Sequence, residues 1–311
     1  WEVYMIQVVE GKNPLFLLTT QKSSYIIRVM ESGHLEHLHY GRRLRTEDGD
    51  GLFEMQQFPP GNTIAYSKEF SRFSLEDLRL EISSRGKGDL REPYLEIEYS
   101  DGSRTSDFLY HSYSVKKGKD EWKDIPGSYG TEEEVETLCI ILKDRDREIF
   151  LKLYYYVYAE DDIIGKNSVI LNQSGEEIII HRLMSNQLDF DSMKMKMISF
   201  TGAWAREMKK TEISLKAGKY INASVTGTSS NRNNPFVILA EQQACEEHGA
   251  CIGINLIYSG NHMETAERDS MNRLRFLSGI NPETFSWKLK SGEVFRAPEA
   301  VMTYSSAGYR Q

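Results

Sequence analysis

The seven residues Tyr94 to Ser100, YLEIEYS, alternate without a break: Leu95, Ile97 and Tyr99 fall on one side of an extended chain, Glu96 and Glu98 on the other. A period of two marks a strand with one face in a core and one in water. Ser286 to Gly292, SWKLKSG, reads the same way, with Trp287 and Leu289 opposing Lys288 and Lys290. Working outward, strands are predicted at 16–20, 25–30, 35–40, 137–143, 148–158, 168–172, 177–183, 194–200, 218–225, 236–241 and 252–258. Turn signals such as SDGS, GSYG, QSG and KSGE punctuate them. One segment, SLEDLRLEISS from Ser74 to Ser84, carries a helical period, with Ser74 as N-cap and Asp77 in the capping-box position. One short helix among so many strands predicts an all-β fold, a large β-sandwich of many antiparallel strands with at most short helices. No Pro-, Gly- or Ser-rich linker divides the chain, so residues 1–311 are expected to form one domain.

Composition narrows the function classes. The chain has 38 Lys plus Arg against 46 Asp plus Glu, a formal charge of -8, and its basic residues are scattered; nucleic acid is not an expected partner. The longest apolar piece, EIFLKLYYYVY from Glu148 to Tyr158, is strand-sized, so no membrane partner is expected. Three cysteines, an odd number, predict a reducing compartment and a cytoplasmic protein. Cys245 and Cys251 flank the turn EEHG; their spacing allows a cross-strand bridge, and two free thiols are the preferred reading. No charged start followed by an apolar signal segment is visible after WEVYM.

Chemistry-bearing residues are sparse. Asp161 and Asp162 are adjacent and would point to opposite faces of a strand, whereas Asp189 and Asp191 would face one way, and read as a solvated strand end. TEEEVE, Thr131 to Glu136, reads as a solvated turn or edge. His37 and His39 would share a strand face with His34 nearby, which raises a metal hypothesis without a third placed ligand; structural histidines are the preferred reading and no metal is expected. There is no phosphate loop and no nucleophile elbow, and no cofactor is expected. In FTGAWAREMKK, Phe200 to Lys210, Trp204 and Arg206 would share one face of a strand, a platform on which a sugar's C–H face can stack; the bland alternative is a core Trp with a snorkelling Arg. TGTSSNRNNPFVIL, Thr226 to Leu239, reads as a turn that starts a buried strand at Phe236.

Six stretches taken in order resemble the N-terminal domain of bacterial α-galactosidases of glycoside hydrolase family 36. They are SGHLEHLHYGRRL (32–44), GKGDLREPYLEI (86–97), FTGAWAREM (200–208), TGTSSNRNNPFVIL (226–239), GINLIYSGNHMETAE (253–267) and SGINPETFSWKLKSGEVFRAPEAVMTYSSAGY (278–309). The resemblance implies a β-supersandwich, followed in the family by a catalytic (β/α)8 barrel and a small C-terminal β domain. The barrel supplies an aspartate nucleophile in a K-W-D-x-N type motif and a second aspartate as acid/base. Neither motif stands in this chain: EWKD at Glu121 to Asp124 has another order, and TSDFLYH at Thr105 to His111 lacks a partner acid. No catalytic residue is therefore expected here, since retaining hydrolysis needs two carboxyl groups roughly 5 to 5.5 Å apart.

The resemblance also implies substrate contacts. The Trp of the W-A-R-E motif, which maps to Trp204, reaches the sugar pocket. An early loop, matched by EMQQFPPGNTIAYSKEFSRFSL from Glu54 to Leu75, carries an acid and an arginine that approach the sugar, often in a neighbouring subunit of a tetramer. Gln56 stands in the acid's place and Arg72 is the nearest arginine; Asn231 and Arg232 stand where the family usually has His-Gln. The implied partners are an α-galactoside oligosaccharide, the chain's own catalytic barrel and further copies in a homo-oligomer. The competing readings are a free-standing carbohydrate-binding module and a purely structural sandwich.

Overall fold

The computed structural model describes residues 5–44, 64–191 and 193–310. Among them the chain is built from antiparallel strands in three sheets. The first is a four-stranded meander of β1 (Ile6–Val9), β2 (Leu15–Thr19), β3 (Ser23–Val29) and β4 (Leu35–Arg42). A larger sheet begins with the sequential strands β6 (Phe108–Lys117), β7 (Glu136–Asp144), β8 (Ile149–Tyr158) and β9 (Ile163–Asn172), to which β19 (Val294–Arg296) and β20 (Glu299–Ser305) also pair. Beyond β20 it continues through β15 (Cys251–Ile257), β14 (Asn233–Glu241) and β11 (Met195–Thr201) to an edge at β12 (Lys209–Ser214). The third sheet is centred on β10 (Ile178–Phe190), which pairs with β5 (Leu95–Glu98), β17 (Leu274–Ile280) and β18 (Trp287–Leu289). Its other side runs through β16 (His262–Arg268) to an edge at β13 (Gly218–Ala223).

The opening stretch behaves as its alternation demands. Leu95 and Ile97 are fully buried and Tyr99 nearly so, while Glu96 and Glu98 stand on the outer face beside Arg182 and His181. Apolar faces of all three sheets meet in one continuous core, from Phe16 and Leu18 through Leu138 and Leu151 to Leu188 and Phe276. Burial of this kind, at about 25 cal/mol per Å² of apolar surface, is what orders so non-local a topology.

Four expectations are corrected. The helix predicted over Ser74–Ser84 is a single 3-10 turn, Leu75–Asp77. Ser74 makes no capping hydrogen bond, Asp77 is drawn to Arg273 at 2.9 Å, and Leu80, Glu81 and Ile82 are buried in succession, which one helical face cannot achieve. Asp161 and Asp162 lie in the turn between β8 and β9, where Asp162 accepts a hydrogen bond from the Lys22 N–H at 2.7 Å. Trp287, expected in the core beside Leu289, is 49% exposed and leans on Phe295 because its three-residue strand lies at a sheet edge.

The fourth correction concerns Asp189. It is no solvated strand end: Arg275 donates to both its oxygens at 2.8 and 2.6 Å, Leu80 N–H adds a third bond at 3.0 Å, and the same guanidinium reaches Asp89, itself paired with Arg91. Nearby, Glu81 accepts from Tyr25, Tyr155 and Lys166 with no solvent exposure. Three carboxylates and three cations thus neutralise one another inside the sandwich, the condition under which buried charge is tolerated. Burial alone would raise the Asp89 carboxyl, but Arg275 and Arg91 outweigh it and hold it low.

Candidate functional site

β11 and β12 pair through Thr201 and Lys209, so residues 202–208 form the tip of a hairpin rather than the continuing strand expected from alternation. A tight turn closes it: Ala203 N–H reaches the Arg206 carbonyl at 3.3 Å and Arg206 N–H the Ala203 carbonyl at 2.9 Å. Ala205 and Met208 take positive φ of 59° and 56°, a conformation that costs non-glycine residues of order 1 kcal/mol or more. The Glu207 carboxylate accepts the Ala205 N–H at 2.9 Å and helps hold the tip. On its outside stands Trp204, 91% exposed, with Met208 exposed as well. The indole is therefore neither a core residue nor one face of a strand platform with Arg206.

A second turn forms the floor under this tip. Ser230 and Asn233 bridge, and β14 starts at Asn233, three residues before the expected Phe236. The Arg232 carbonyl accepts the Gly202 N–H at 3.4 Å. Gly202 has no room for a side chain, since a Cβ there would lie 2.8 Å from Glu207 Cα and 2.9 Å from the Asn231 carbonyl oxygen. TGTSSNRNNPF is thus a structured turn, packed backbone to backbone against the hairpin that carries Trp204.

Beneath the turn lies a buried polar group that alternation in HME could have signalled, because His262 and Glu264 share a strand face. His262 places Nε2 2.9 Å from the Asn233 carbonyl and Nδ1 3.0 Å from the Glu264 carboxylate. Asn222 donates to Glu264 at 2.7 Å and to the Asn234 carbonyl at 2.8 Å, and the Asn233 side chain donates to the Ala223 carbonyl at 2.8 Å. Burial works to lower the His262 pKa, but the Glu264 carboxylate overrides it and the imidazole is raised above its ordinary value.

Arg72 lies elsewhere. Its turn, Phe70 to Phe73, is seated on Met30, Tyr66, Leu75 and Leu80, with the Tyr66 hydroxyl donating to Asp107 at 2.8 Å. The Arg72 side chain is exposed and makes no ion pair with the described residues. Gln56 lies outside the described residues. No hydrogen bond, ion pair or ring contact joins Arg72 to the Trp204 tip among the described residues.

The remaining polar residues are structural. A β-bulge opposite Ile26 and Ile27 puts His37 and His39 on opposite faces of β4, not the same one. His37 stacks on Tyr25 in the core, His39 bonds the Arg42 carbonyl at 3.0 Å, and His34 is held between Ser32 and Asp107. No cluster of three potential metal ligands exists among the described residues. An open groove at the far end of the β11–β12 hairpin is lined by Lys194, Lys216 and Arg268, whose guanidinium is spent on the carbonyls of Leu215, Asn272 and Met193. All three cysteines are free.

Comparison with known proteins gives this geometry a context. Residues 33–290 match the model of the glycosyl hydrolase family 36 N-terminal domain. The chain is 34% identical over 304 residues to the bifunctional α-galactosidase/sucrose kinase AgaSK of Mediterraneibacter gnavus, covering 98% of this chain and 32% of that protein. Its fold is similar to the crystal structure of the α-galactosidase from Lactobacillus brevis, with a TM-score of 0.92 and 33% identity over 96% of this chain and 40% of that one. It is also similar to a variant of the family 36 α-galactosidase AgaA from Geobacillus stearothermophilus in complex with raffinose, with a TM-score of 0.90 and 31% identity over 94% of this chain and 41% of that one. Another AgaA variant is in complex with stachyose. The chain thus spans about a third to two-fifths of the length of these relatives.

Proposed function

The chain belongs to the glycosyl hydrolase family 36 N-terminal domain family, and from that premise we propose that it is the non-catalytic N-terminal part of a retaining α-galactosidase, acting as scaffold, pocket wall and oligomer contact. The observation that carries the proposal is the braced hairpin tip, which spends backbone strain to hold Trp204 almost wholly in solvent. An exposed, fixed indole is a surface on which the apolar face of a sugar stacks. The substrate class is an oligosaccharide with a terminal α-linked galactose, in keeping with the raffinose and stachyose bound by relatives. A barrel following this domain supplies the two catalytic carboxylates. Arg72 and Gln56 serve the pocket of a neighbouring copy.

The test is direct. The purified chain is expected to show a β-rich circular dichroism spectrum and no hydrolysis of an aryl α-galactoside, whereas a polypeptide that continues into a family 36 barrel hydrolyses it. Turnover by the chain alone that survives repurification and disappears on substitution of one of its own acids overturns the assignment.

A further inference from the structure

The groups around His262 are matched in a way that fixes its protonation. Its two ring nitrogens face a backbone carbonyl, Asn233 O at 2.9 Å, and a carboxylate, Glu264 at 3.0 Å. A carbonyl and an ionised carboxylate only accept hydrogen bonds, so both nitrogens must donate, and only the imidazolium has two N–H groups. Burial raises the Glu264 carboxyl above its ordinary value, and the hydrogen bonds from His262 and Asn222 work against burial and favour the ionised form. The other elements around the ring present neutral groups: Asn222 and Ser224 beside β13, Asn233 on β14 and Ile280 opposite on β17. Glu264 is the charged group acting on His262 among the described residues, and both side chains are fully buried.

What this pair holds is the floor of the Trp204 tip. Asn233, the acceptor for Nε2–H, is paired with Thr201 at the end of β11. The next residue, Gly202, bonds to the Arg232 carbonyl, and Trp204 follows two residues later. We infer that His262 and Glu264 are positioning residues for Trp204: a buried imidazolium–carboxylate pair ties the turn at Asn233 to the third sheet and so fixes where the indole stands, making its presentation pH-dependent. The inference rests on the reading of Trp204 as a sugar contact for its effect on catalysis, but the tie itself does not.

The direction follows from linkage. His262 is raised above the ordinary imidazole value near 6.5, so the tie is complete below that value and is lost as pH rises through the raised one. Loss of the proton leaves a ring lone pair against either the carboxylate or the carbonyl, and one bond breaks.

Two readouts test this. In the 311-residue chain, the indole N–H resonance of Trp204, assigned by its disappearance in Trp204→Phe, is expected to shift with pH on the alkaline side of 6.5. That shift should move to lower pH in Glu264→Gln, which keeps the acceptor but removes the charge, and vanish in His262→Gln, which keeps an uncharged donor. In the longer enzyme, kcat/KM should fall along the same limb by up to about 100-fold, the scale of a misplaced contact, with the limb displaced or removed by the same variants. His262→Gln should also recover much of the acid-side efficiency that His262→Phe loses. A Trp204 resonance that does not titrate, or titrates identically in all three proteins, overturns the tie. A resonance that behaves as expected while Trp204→Ala leaves kcat/KM unchanged upholds the tie and removes Trp204 from the sugar site.

Discussion

Truncating Trp204 separates a presented side chain from a structural one, because stability and catalysis should move in opposite measure. With the residue 91% exposed, folding hides only about a tenth of a side chain that offers at most roughly 250 Å². At about 25 cal/mol per Å², Trp204→Ala then costs the isolated chain roughly 0.6 kcal/mol. A core Trp would cost about 3 to 5 kcal/mol through lost burial and a cavity. Urea unfolding followed by far-UV circular dichroism resolves the two values, with the slope m expected to stay constant since little surface changes hands. In the longer enzyme the same substitution should lower kcat/KM by on the order of 100-fold, because an unstacked sugar loses its orientation at the reacting centre. Trp204→Phe should restore part of that loss at almost no further change in stability. A loss above about 3 kcal/mol in the chain with near-normal kcat/KM in the folded enzyme would refute the argument, since no residue this exposed stabilises to that extent without contacts the structure lacks.

Two further outcomes follow from groups away from the tip. Arg275→Met should destabilise the chain by about 3 to 5 kcal/mol in urea unfolding, because it strands Asp189 and Asp89 in the interior with Arg91 alone; adding Asp189→Asn should cost less than the sum of the singles, and strict additivity would disprove the shared network. Cys139 and Cys251 are buried, which pushes both thiols up, whereas Cys245 is half-exposed with His248 Nδ1 3.0 Å from its sulfur; one equivalent of an aromatic disulfide reagent should react rapidly with the native chain and three after unfolding, and a second fast equivalent would count against the fold at β7 or β15.

Strands with one wet face were legible because a period of two survives wherever the sheet is half-buried, as in 95–99. The pattern failed where both faces are covered. β10 continues through Ser185, Asn186, Gln187 and Asp189, all buried; Arg275 satisfies Asp189 there, and Ser83 and the Leu80 carbonyl satisfy Gln187. A reading that takes polar for exposed must stop such a strand early, at Leu183. The helical reading of 74–84 fails for a related reason: Glu81, polar in the sequence, is held in the core by Tyr25, Tyr155 and Lys166.

At the candidate site the division is sharper. That Trp204 follows a glycine and that Asn and Ser crowd 229–234 was visible in the residues, and turn chemistry was the correct expectation for the second segment. That the two segments touch was not, because the contact is between backbones, at Gly202 and Arg232, and depends on a ladder joining residues 32 positions apart, Thr201 and Asn233. The His262–Glu264 pair stands still further along the chain and reaches the tip through that ladder and, by way of Asn222 and Asn234, through Met208. A short-range pattern can propose each piece, yet the indole's position is set by a tertiary path from the third sheet, through one carbonyl, to a strained turn. The tie also accounts for why the tip can carry an exposed indole and two positive-φ residues: strain of a few kcal/mol persists only where surrounding bonds over-determine the backbone, and here a buried charge pair and two turns do so. Removing His262 should therefore release the strain along with the order of the tip, so His262→Phe should broaden the Trp204 resonance far more than those of Trp122 and Trp287; equal broadening of all three would mean a general loss of packing rather than a local one.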